Sequence, residues 1–255
     1  MGAKTIQVNQ LADGPFYAEV VGADLKNHDD EAQFDALKAA HLAHGVIVIR
    51  DQNLTPDDQI AFSRRFGPLA VHVLADQLLE GYPEILLVSN RTEDGKYVGL
   101  PDAGRFWHTD QSYEEKPALG SLLYAIEIPA DGSGDTWFCD MTSAYETLPG
   151  EMKQRLDGLR AMHIYNHGHE NFSLSDEQRD RLPGYDHPLV RTHPETGRKA
   201  LYLGGKLMKY IVGLEPDESE ALMAQLYDHC QCFLDMCCRH LLVHVDSHVS
   251  LDLPV

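Results

Sequence analysis

The stretch FWHTDQSY at residues 106–113 carries the residues that decide the fold and its chemistry. His108 and Asp110 are two positions apart, and on an extended strand this spacing turns both side chains to one face. An imidazole and a carboxylate on one face can supply two ligands of a 2-His-1-carboxylate iron site, which leaves coordination positions open. The aromatic and polar neighbours are a mixture expected of a pocket. Taken alone, the stretch favours a partly buried histidine with an aspartate partner, and a metal site is the alternative.

The His-x-acid spacing alone is not specific. It recurs as HDD at 28–30, HPE at 193–195 and HVD at 244–246. His28 stands in a charged run that favours a solvated turn, and the third copy lies in a segment of unusual composition. The aromatic residues next to His108 therefore distinguish the motif at 108–110 from the three other copies.

The pattern around this stretch predicts strands in irregular order with helices early and late. Residues 31–44 have helical spacing and end at a glycine, and 46–50 is a short apolar strand. Thr55 and Pro56 predict the start of a helix over 56–66. Further elements are expected as strands at 5–25, 84–89, 122–128, 161–165, 188–192 and 199–203, and as helices at 141–158 with a break at Pro149, near 174–181 and at 216–227. This order favours an antiparallel β-rich α+β sandwich or barrel over a doubly wound sheet.

The composition is that of a single globular domain with a large core. Of its 255 residues 43% are hydrophobic, and 40 acidic residues outnumber 21 basic ones for a formal charge of -19. Without a basic patch, nucleic acid and anionic membranes are poor partners. The N-terminus lacks a signal-like apolar region, so the expected location is the cytoplasm.

At this point several motifs carry a resemblance to a known family. They are FSRRFGPL (62–69), WHTD (107–110), SGDTWFCDM (133–141), AYETLP (144–149) and HPLVRTHPETGRKALYLG (187–204). In this order they resemble the taurine dioxygenase and 2,4-dichlorophenoxyacetate dioxygenase family. The resemblance implies a double-stranded β-helix, or jelly roll, with external helices. It also implies Fe(II), 2-oxoglutarate as cosubstrate, O₂, a small organic acid as substrate, and an assembly that is often homo-oligomeric.

The same resemblance assigns roles to four residues. His108 and Asp110 match two iron ligands, and Thr136 matches the threonine whose hydroxyl contacts a carboxylate of 2-oxoglutarate. His72 matches a residue that contacts the substrate's acidic group in the taurine branch. The FCDM and SNRTEDGK strings look closer to the phenoxyacetate branch, so the resemblance leaves a taurine-like sulfonate and an aryloxyalkanoate both open.

The last 27 residues depart from the family. The predicted division is a dioxygenase-like domain over 1–228 and an aberrant tail over 229–255, where four of the five cysteines cluster. The tail shows neither the family's WDNRxxxH pattern, which holds the third iron ligand, nor the arginine that clamps 2-oxoglutarate. A frame shift, a truncation or real divergence that supplies His244 or His248 would each explain it. The cysteine spacing does not fit a structural zinc site.

Three basic residues at family positions, Arg191, Arg198 and Lys199, are interpreted as structural residues beside a turn, with substrate contact by one of them as the alternative.

The predicted function is hydroxylation of a small organic acid coupled to decarboxylation of 2-oxoglutarate to succinate and CO₂. An inactive relative and a cupin-like metal hydrolase or isomerase are the alternatives.

Overall fold

The computed structural model describes residues 5–10, 16–101, 103–104, 106–127, 136–165, 177, 182–234 and 248–250. Within these ranges the chain forms a mixed α+β structure of small sheets and external helices. None of the helices in this part of the chain is long and apolar enough to cross a membrane.

The N-terminal part is a three-stranded sheet with two helices. Strands β1 (Gln7–Gln10) and β2 (Tyr17–Val21) are antiparallel, and β3 (Val46–Ile49) joins β2 in parallel. The parallel crossover is made by α1 (Glu31–His44), and α2 (Pro56–Ser63) follows β3.

Local sequence signals explain both N-terminal helices. The side chain of Asp30 caps α1 by accepting a hydrogen bond from Gln33 N, and Gly45 ends the helix with φ 71°. A reciprocal capping box between Thr55 and Asp58 begins α2, with Pro56 in the first turn. The predictions of an α1 at 31–44 and of a helix that starts at residue 56 are confirmed, although α2 ends three residues before the predicted position.

The middle of the chain contributes short strands. These are β4 (Leu78–Leu79), β5 (Tyr82–Val88), β6 (Thr92–Glu93) and β7 (Lys96–Tyr97), and the turn between β6 and β7 contains Asp94 and Gly95, both with positive φ. The centre of β5 is buried, with Ile85 0% and Leu86 6% exposed. A late strand, β13 (His248–Ser250), pairs antiparallel with β5.

The C-terminal part holds the largest core. Two short helices, α3 (Met141–Glu146) and α4 (Gly150–Leu156), are followed by β8 (Arg160–His163), β9 (Tyr185–Pro188), β10 (Val190–Thr192), β11 (Lys199–Leu201), β12 (Met208–Ile211) and the helix α5 (Pro216–Leu234). Strands β12, β8 and β9 form one sheet, and β10 and β11 form a hairpin. Their apolar side chains pack with α3, α4 and α5 around Leu156, Leu189 and Leu226.

The structure corrects two predictions. No strand is assigned to residues 122–127, because the segment is tied by side-chain bonds, among them a 3.0 Å bond from Leu54 N to Tyr124 Oη, rather than by a strand ladder. The helix predicted to stop at 227 runs to Leu234, since Cys230 is buried in the main core. The helix predicted near 174–181 lies almost wholly outside the described residues. The division at residue 229 and the closed jelly roll stay predictions, because the described strands form open sheets.

Candidate active site

The predicted metal ligands lie side by side. His108 Nε2 and Asp110 Oδ1 are 3.0 Å apart, and both side chains are partly exposed. His108 Nδ1 lies 2.7 Å from the carbonyl oxygen of Phe106, which accepts a hydrogen bond from it when Nδ1 carries the proton. In the metal-free protein Nε2–H donates to Asp110 Oδ1, and loss of that proton leaves a lone pair on Nε2 next to the carboxylate, as in a metal-binding histidine.

The segment that carries these ligands is not the predicted strand. Residues 107–109 are irregular, and a turn begins at Asp110, where Gln111 follows with φ 49°. A side-chain bond replaces the strand ladder, because Thr109 Oγ1 donates to Leu203 O at 2.9 Å. The side chains of His108 and Asp110 still point to the same side. The two-residue spacing therefore predicted their proximity correctly, although the backbone is not the predicted strand.

Glycines allow the segment after β11 to lie against the ligand segment. Gly205 has φ 53°, and a Cβ built on it would lie 1.6 Å from the carbonyl oxygen of Trp107. The hydroxyl of Tyr227 on α5 donates to Gly205 O at 3.1 Å. Gly205 therefore connects α5 to the segment that carries His108 and Asp110.

Ser121 completes the surroundings of the carboxylate. Its hydroxyl donates to Asp110 Oδ2 at 2.7 Å. Burial by itself would raise the pKa of Asp110, but the hydrogen bonds from His108 and Ser121, together with the charges of His108 and His72, outweigh it and hold the pKa below its ordinary value. Asp110 is consequently an ionised ligand at neutral pH.

His72 approaches the same carboxylate from another loop. Its Nδ1 accepts a hydrogen bond from Leu74 N at 3.2 Å, which leaves the proton of the neutral ring on Nε2. Burial lowers the pKa of His72, and the charge of Asp110 opposes that shift. The structure thus places His72 within electrostatic range of Asp110, although it forms no three-residue metal-binding group with His108 and Asp110 among the described residues.

Thr136 is not joined to this group by contact. It is half-buried, and among the described residues it shares no hydrogen bond with His72, His108 or Asp110. Two residues further on, Phe138 packs against Tyr17 and Val48. The assignment of Thr136 to the cosubstrate stays a prediction.

Sequence reasoning missed several residues around the site. Lys206 places its ammonium 5.2 Å from the ring centroid of Phe106, and that ring lies 5.4 Å from the ring of His108. A second group consists of His163, His187 and Tyr202, whose ring centroids are each 5.5 Å apart. The strings HPLVRTH and ALYLG contain His187 and Tyr202, and no motif or spacing in the sequence singled out Lys206 or His163.

The pair His108 and Asp110 fits a divalent first-row metal ion. Two donor atoms at about 2.1 Å from one ion and about 90° apart are separated by about 3 Å, which matches the observed distance of 3.0 Å. In the part of the chain that the structure describes, no third His, Cys, Asp or Glu joins them to form a three-ligand group. The described residues therefore provide two ligands of a facial site.

Comparison with solved structures indicates the class of protein to which this fold belongs. The fold is shared with solved structures that include dioxygenases. The crystal structure of AAD-2 in complex with Mn(II) and N-oxalylglycine matches with a TM-score of 0.77 and 29% identity over 97% of this chain and 88% of that one. A taurine dioxygenase from Burkholderia xenovorans matches with a TM-score of 0.76 and 31% identity over 97% of this chain and 79% of the other.

The family follows from the sequence comparison. Residues 7–242 match the taurine catabolism dioxygenase TauD, TfdA family, and the chain belongs to it. An alpha-ketoglutarate-dependent 2,4-dichlorophenoxyacetate dioxygenase of Cupriavidus pinatubonensis is 36% identical over 84% of this chain and 78% of its own length. An (S)-phenoxypropionate/alpha-ketoglutarate-dioxygenase of Sphingobium herbicidovorans is 37% identical over 85% of this chain and 76% of its own length.

Membership confirms the enzyme class and the cofactors predicted from the motifs. The chain is a 2-oxoglutarate-dependent dioxygenase by family, with Fe(II) as the metal and 2-oxoglutarate as cosubstrate. A yeast relative named as an alpha-ketoglutarate-dependent sulfonate dioxygenase is 32% identical over 82% of this chain and 52% of its own length. Relatives named for aryloxyalkanoates and for sulfonates thus both match.

Proposed function

We propose that this protein hydroxylates a small organic acid, either a taurine-like sulfonate or an aryloxyalkanoate. The observation that carries the proposal is the pair of adjacent ligand atoms, His108 Nε2 and Asp110 Oδ1, 3.0 Å apart, with the charge of Asp110 acting on His72. We further infer that the sheets close as a double-stranded β-helix around this group, as the family resemblance implies.

Each side chain has a separate task in the proposed reaction. His108 and Asp110 hold Fe(II), and the bonds from Ser121 and to Phe106 O fix their orientation. His72 directs a neutral Nε2–H toward the site, where it can donate to a sulfonate or carboxylate oxygen. Thr136 provides a hydroxyl for a carboxylate of 2-oxoglutarate.

Lys206 provides a positive charge near the metal ligands. Its ammonium lies over Phe106, whose ring neighbours His108, and its side chain is exposed. In a chain with a formal charge of -19, a local cation of this kind is needed to attract an anionic substrate. We infer that Lys206 stands at the entrance and that His72 acts deeper in the site.

The proposed reaction consumes substrate R–H, O₂ and 2-oxoglutarate and yields R–OH, succinate and CO₂. When bound, Fe(II) supplies the redox chemistry that couples the oxidative decarboxylation to hydroxylation of a C–H bond. The protein's share is to orient the reactants, to limit water and to keep coordination positions open. Hydroxylation beside an ether or a sulfonate gives an unstable product that releases a phenol or sulfite.

An inactive relative is the second candidate. Two observations favour it. The described residues provide only two metal ligands, and residues 229–255 show no WDNRxxxH pattern. A metal hydrolase or isomerase is a third candidate without a specific observation in its support.

Succinate formation separates these candidates. We expect succinate only when Fe(II), 2-oxoglutarate and O₂ are all present, and more of it with phenoxyacetate or taurine than without either. A phenol or sulfite assay on the same samples identifies the substrate class. Iron binding without succinate would support the inactive relative, and substrate turnover without 2-oxoglutarate would support a hydrolase or isomerase.

A further inference from the structure

The segment 121–124 connects the N-terminal part of the molecule to the candidate metal site. At its start, the hydroxyl of Ser121 donates to Asp110 Oδ2 at 2.7 Å. The segment belongs to no helix and no strand, so backbone hydrogen bonds of regular secondary structure do not fix its position. The place of the Ser121 hydroxyl therefore depends on the side chains that hold the rest of the segment.

Tyr124 attaches the other end of the segment to the connection between β3 and α2. Its hydroxyl accepts a hydrogen bond from Leu54 N at 3.0 Å and donates to Gln52 O at 3.4 Å. The phenol thus uses both its donor and its acceptor capacity, and its ring is half-buried. A shift of Tyr124 along the chain would break one of these bonds or both.

Gln52 is itself held firmly by its side chain. Its Nε2 donates to Ala23 O at 3.0 Å and to Arg50 O at 2.7 Å, and its Oε1 accepts from Leu25 N at 2.9 Å. Both amide protons and the amide oxygen are therefore bonded to backbone groups around the N-terminal sheet. Tyr124 consequently binds to a part of the chain that has a fixed position.

The middle of the segment is held by α2. The carbonyl oxygen of Leu122 accepts a bond of 3.5 Å from Nε2 of Gln59, which is 2% exposed. The side chain of Leu122 packs against Phe62 and against the buried pair Ile60 and Ile85. Burial of apolar surface at this position adds to the attachment that Tyr124 provides.

We propose that Tyr124 is a positioning residue of the metal site, acting through Ser121. It keeps the Ser121 hydroxyl within reach of Asp110 Oδ2, so that Oδ1 stays beside His108 Nε2. Hydrogen bonds to a ligating carboxylate orient it for the metal. The Cα atoms of Ser121 and Tyr124 are at most about 10 Å apart, so a displacement of one is passed to the other. This inference rests on the proposed function, because it assumes that His108 and Asp110 bind a metal ion.

A double-mutant cycle on Mn(II) affinity tests the role of Tyr124. Calorimetric titration compares wild type, Tyr124→Phe, Ser121→Ala and the double variant. We expect Tyr124→Phe to weaken Mn(II) binding about three- to tenfold, which is less than the loss from removing the outer bond itself. In the Ser121→Ala background the same change should cause no further loss, because the hydroxyl that Tyr124 positions is already absent.

Tyr82→Phe is the matched control. It removes a phenol hydroxyl that lies 3.3 Å from Asp57 Oδ2 on α2, and its ring packs against the same buried pair as Leu122. Mn(II) affinity of this variant should equal that of wild type. Equal affinities of wild type and Tyr124→Phe, or an equal loss in both backgrounds of the cycle, would overturn the inference and leave the proposed function intact.

Crystal structures of metal-free wild type and Tyr124→Phe give a second measurement. We expect the distance from Ser121 Oγ to Asp110 Oδ2 to stay near 2.7 Å in wild type and to increase beyond about 3.5 Å in the variant. No difference between the two proteins would overturn the inference. This distance also decides on Tyr124 if wild type binds no Mn(II), a result that would overturn the proposed function.

A second variant replaces Tyr124→Phe if that protein does not fold. Gln59→Met removes the amide donor to Leu122 O and keeps a side chain of similar length. It enters the same cycle with Ser121→Ala and the same crystallographic comparison. A loss of Mn(II) affinity that disappears in the Ser121→Ala background would support the inference, and an unchanged affinity would overturn it.

Discussion

The hydroxyl of Thr109 donates a 2.9 Å hydrogen bond to the carbonyl of Leu203, which lies 94 residues further along the chain. Thr109 stands between the two metal ligands, and Leu203 lies two residues after the end of β11. One bond therefore connects the ligand segment to the hairpin of β10 and β11. The geometry of the site depends on this long-range contact as well as on the local spacing.

Loss of either metal ligand should abolish iron-dependent chemistry. We expect His108→Ala and Asp110→Ala each to lose Fe(II) binding and succinate formation, because only two ligands come from the described residues. Because residues 229–255 show no WDNRxxxH pattern, we expect the 255-residue chain itself to bind Fe(II) weakly. Iron titration followed by a succinate assay measures both expectations. Turnover of either variant within about threefold of the parent would contradict the ligand assignment, and micromolar iron binding with stoichiometric succinate would show that the tail supplies a ligand.

Ser121→Ala should weaken metal binding without unfolding the protein. The substitution removes the 2.7 Å bond to Asp110 Oδ2, so the pKa of Asp110 should rise toward its ordinary value. Loss of such an outer bond typically costs about 10- to 100-fold in metal affinity. Mn(II) titration at several pH values checks this. Ser143→Ala removes a similar serine–aspartate bond, to Asp140 in the cap of α3, and should leave metal affinity unchanged.

Thr136→Val tests the remaining assignment from the family resemblance. The change removes one hydroxyl and keeps the β-branched shape, so the fold should persist while the KM for 2-oxoglutarate rises about tenfold, as for a lost bond to a charged group. Steady-state succinate assays at varied 2-oxoglutarate provide the measurement. An unchanged KM would remove Thr136 from the site.

Gly204→Ala should destabilise the protein through a specific clash. A Cβ at this position would lie 2.5 Å from His163 Nδ1 and 3.1 Å from Ser112 Oγ. Forced overpacking of this kind costs about 1–3 kcal/mol. Urea unfolding measures the loss, and His163→Ala in the same chain should relieve part of it. Gly150→Ala is the control, since nothing lies within 4 Å of its added Cβ.

The stability of the protein should fall with acidity between pH 6.5 and 4. Burial lowers the pKa of His163 from 6.5 to about 4, so the unfolded chain takes up a proton before the folded one does. The stabilisation is complete above pH 6.5 and is lost as the pH falls, by about 3 kcal/mol for this shift. Burial lowers the pKa of His41, His72 and His187 too. Urea unfolding at several pH values should show that the free energy of unfolding falls less steeply with acidity for His163→Phe than for wild type. Parallel pH dependences of the two proteins would show that His163 does not cause the decline.

The sequence by itself determined the family, the local elements and the pairing of the metal ligands. Periodicity and caps suffice for α1 and for the start of α2, because those signals act within one or two turns of helix. The two-residue spacing of His108 and Asp110 allows their side chains to meet even without a strand, with Nε2 and Oδ1 3.0 Å apart.

Only the tertiary structure decided which distant groups support that pair. Ser121, His72 and Leu203 reach the ligand segment through loops, and the rings of His163, His187 and Tyr202 meet because β8, β9 and the segment after β11 pack together. Arg191 was interpreted from sequence as a strand residue beside a turn, which its place on β10 agrees with, but its stacking on the Tyr202 ring is a property of the packed hairpin. Contacts of this kind depend on how separate elements fit, and no local pattern of residues encodes them.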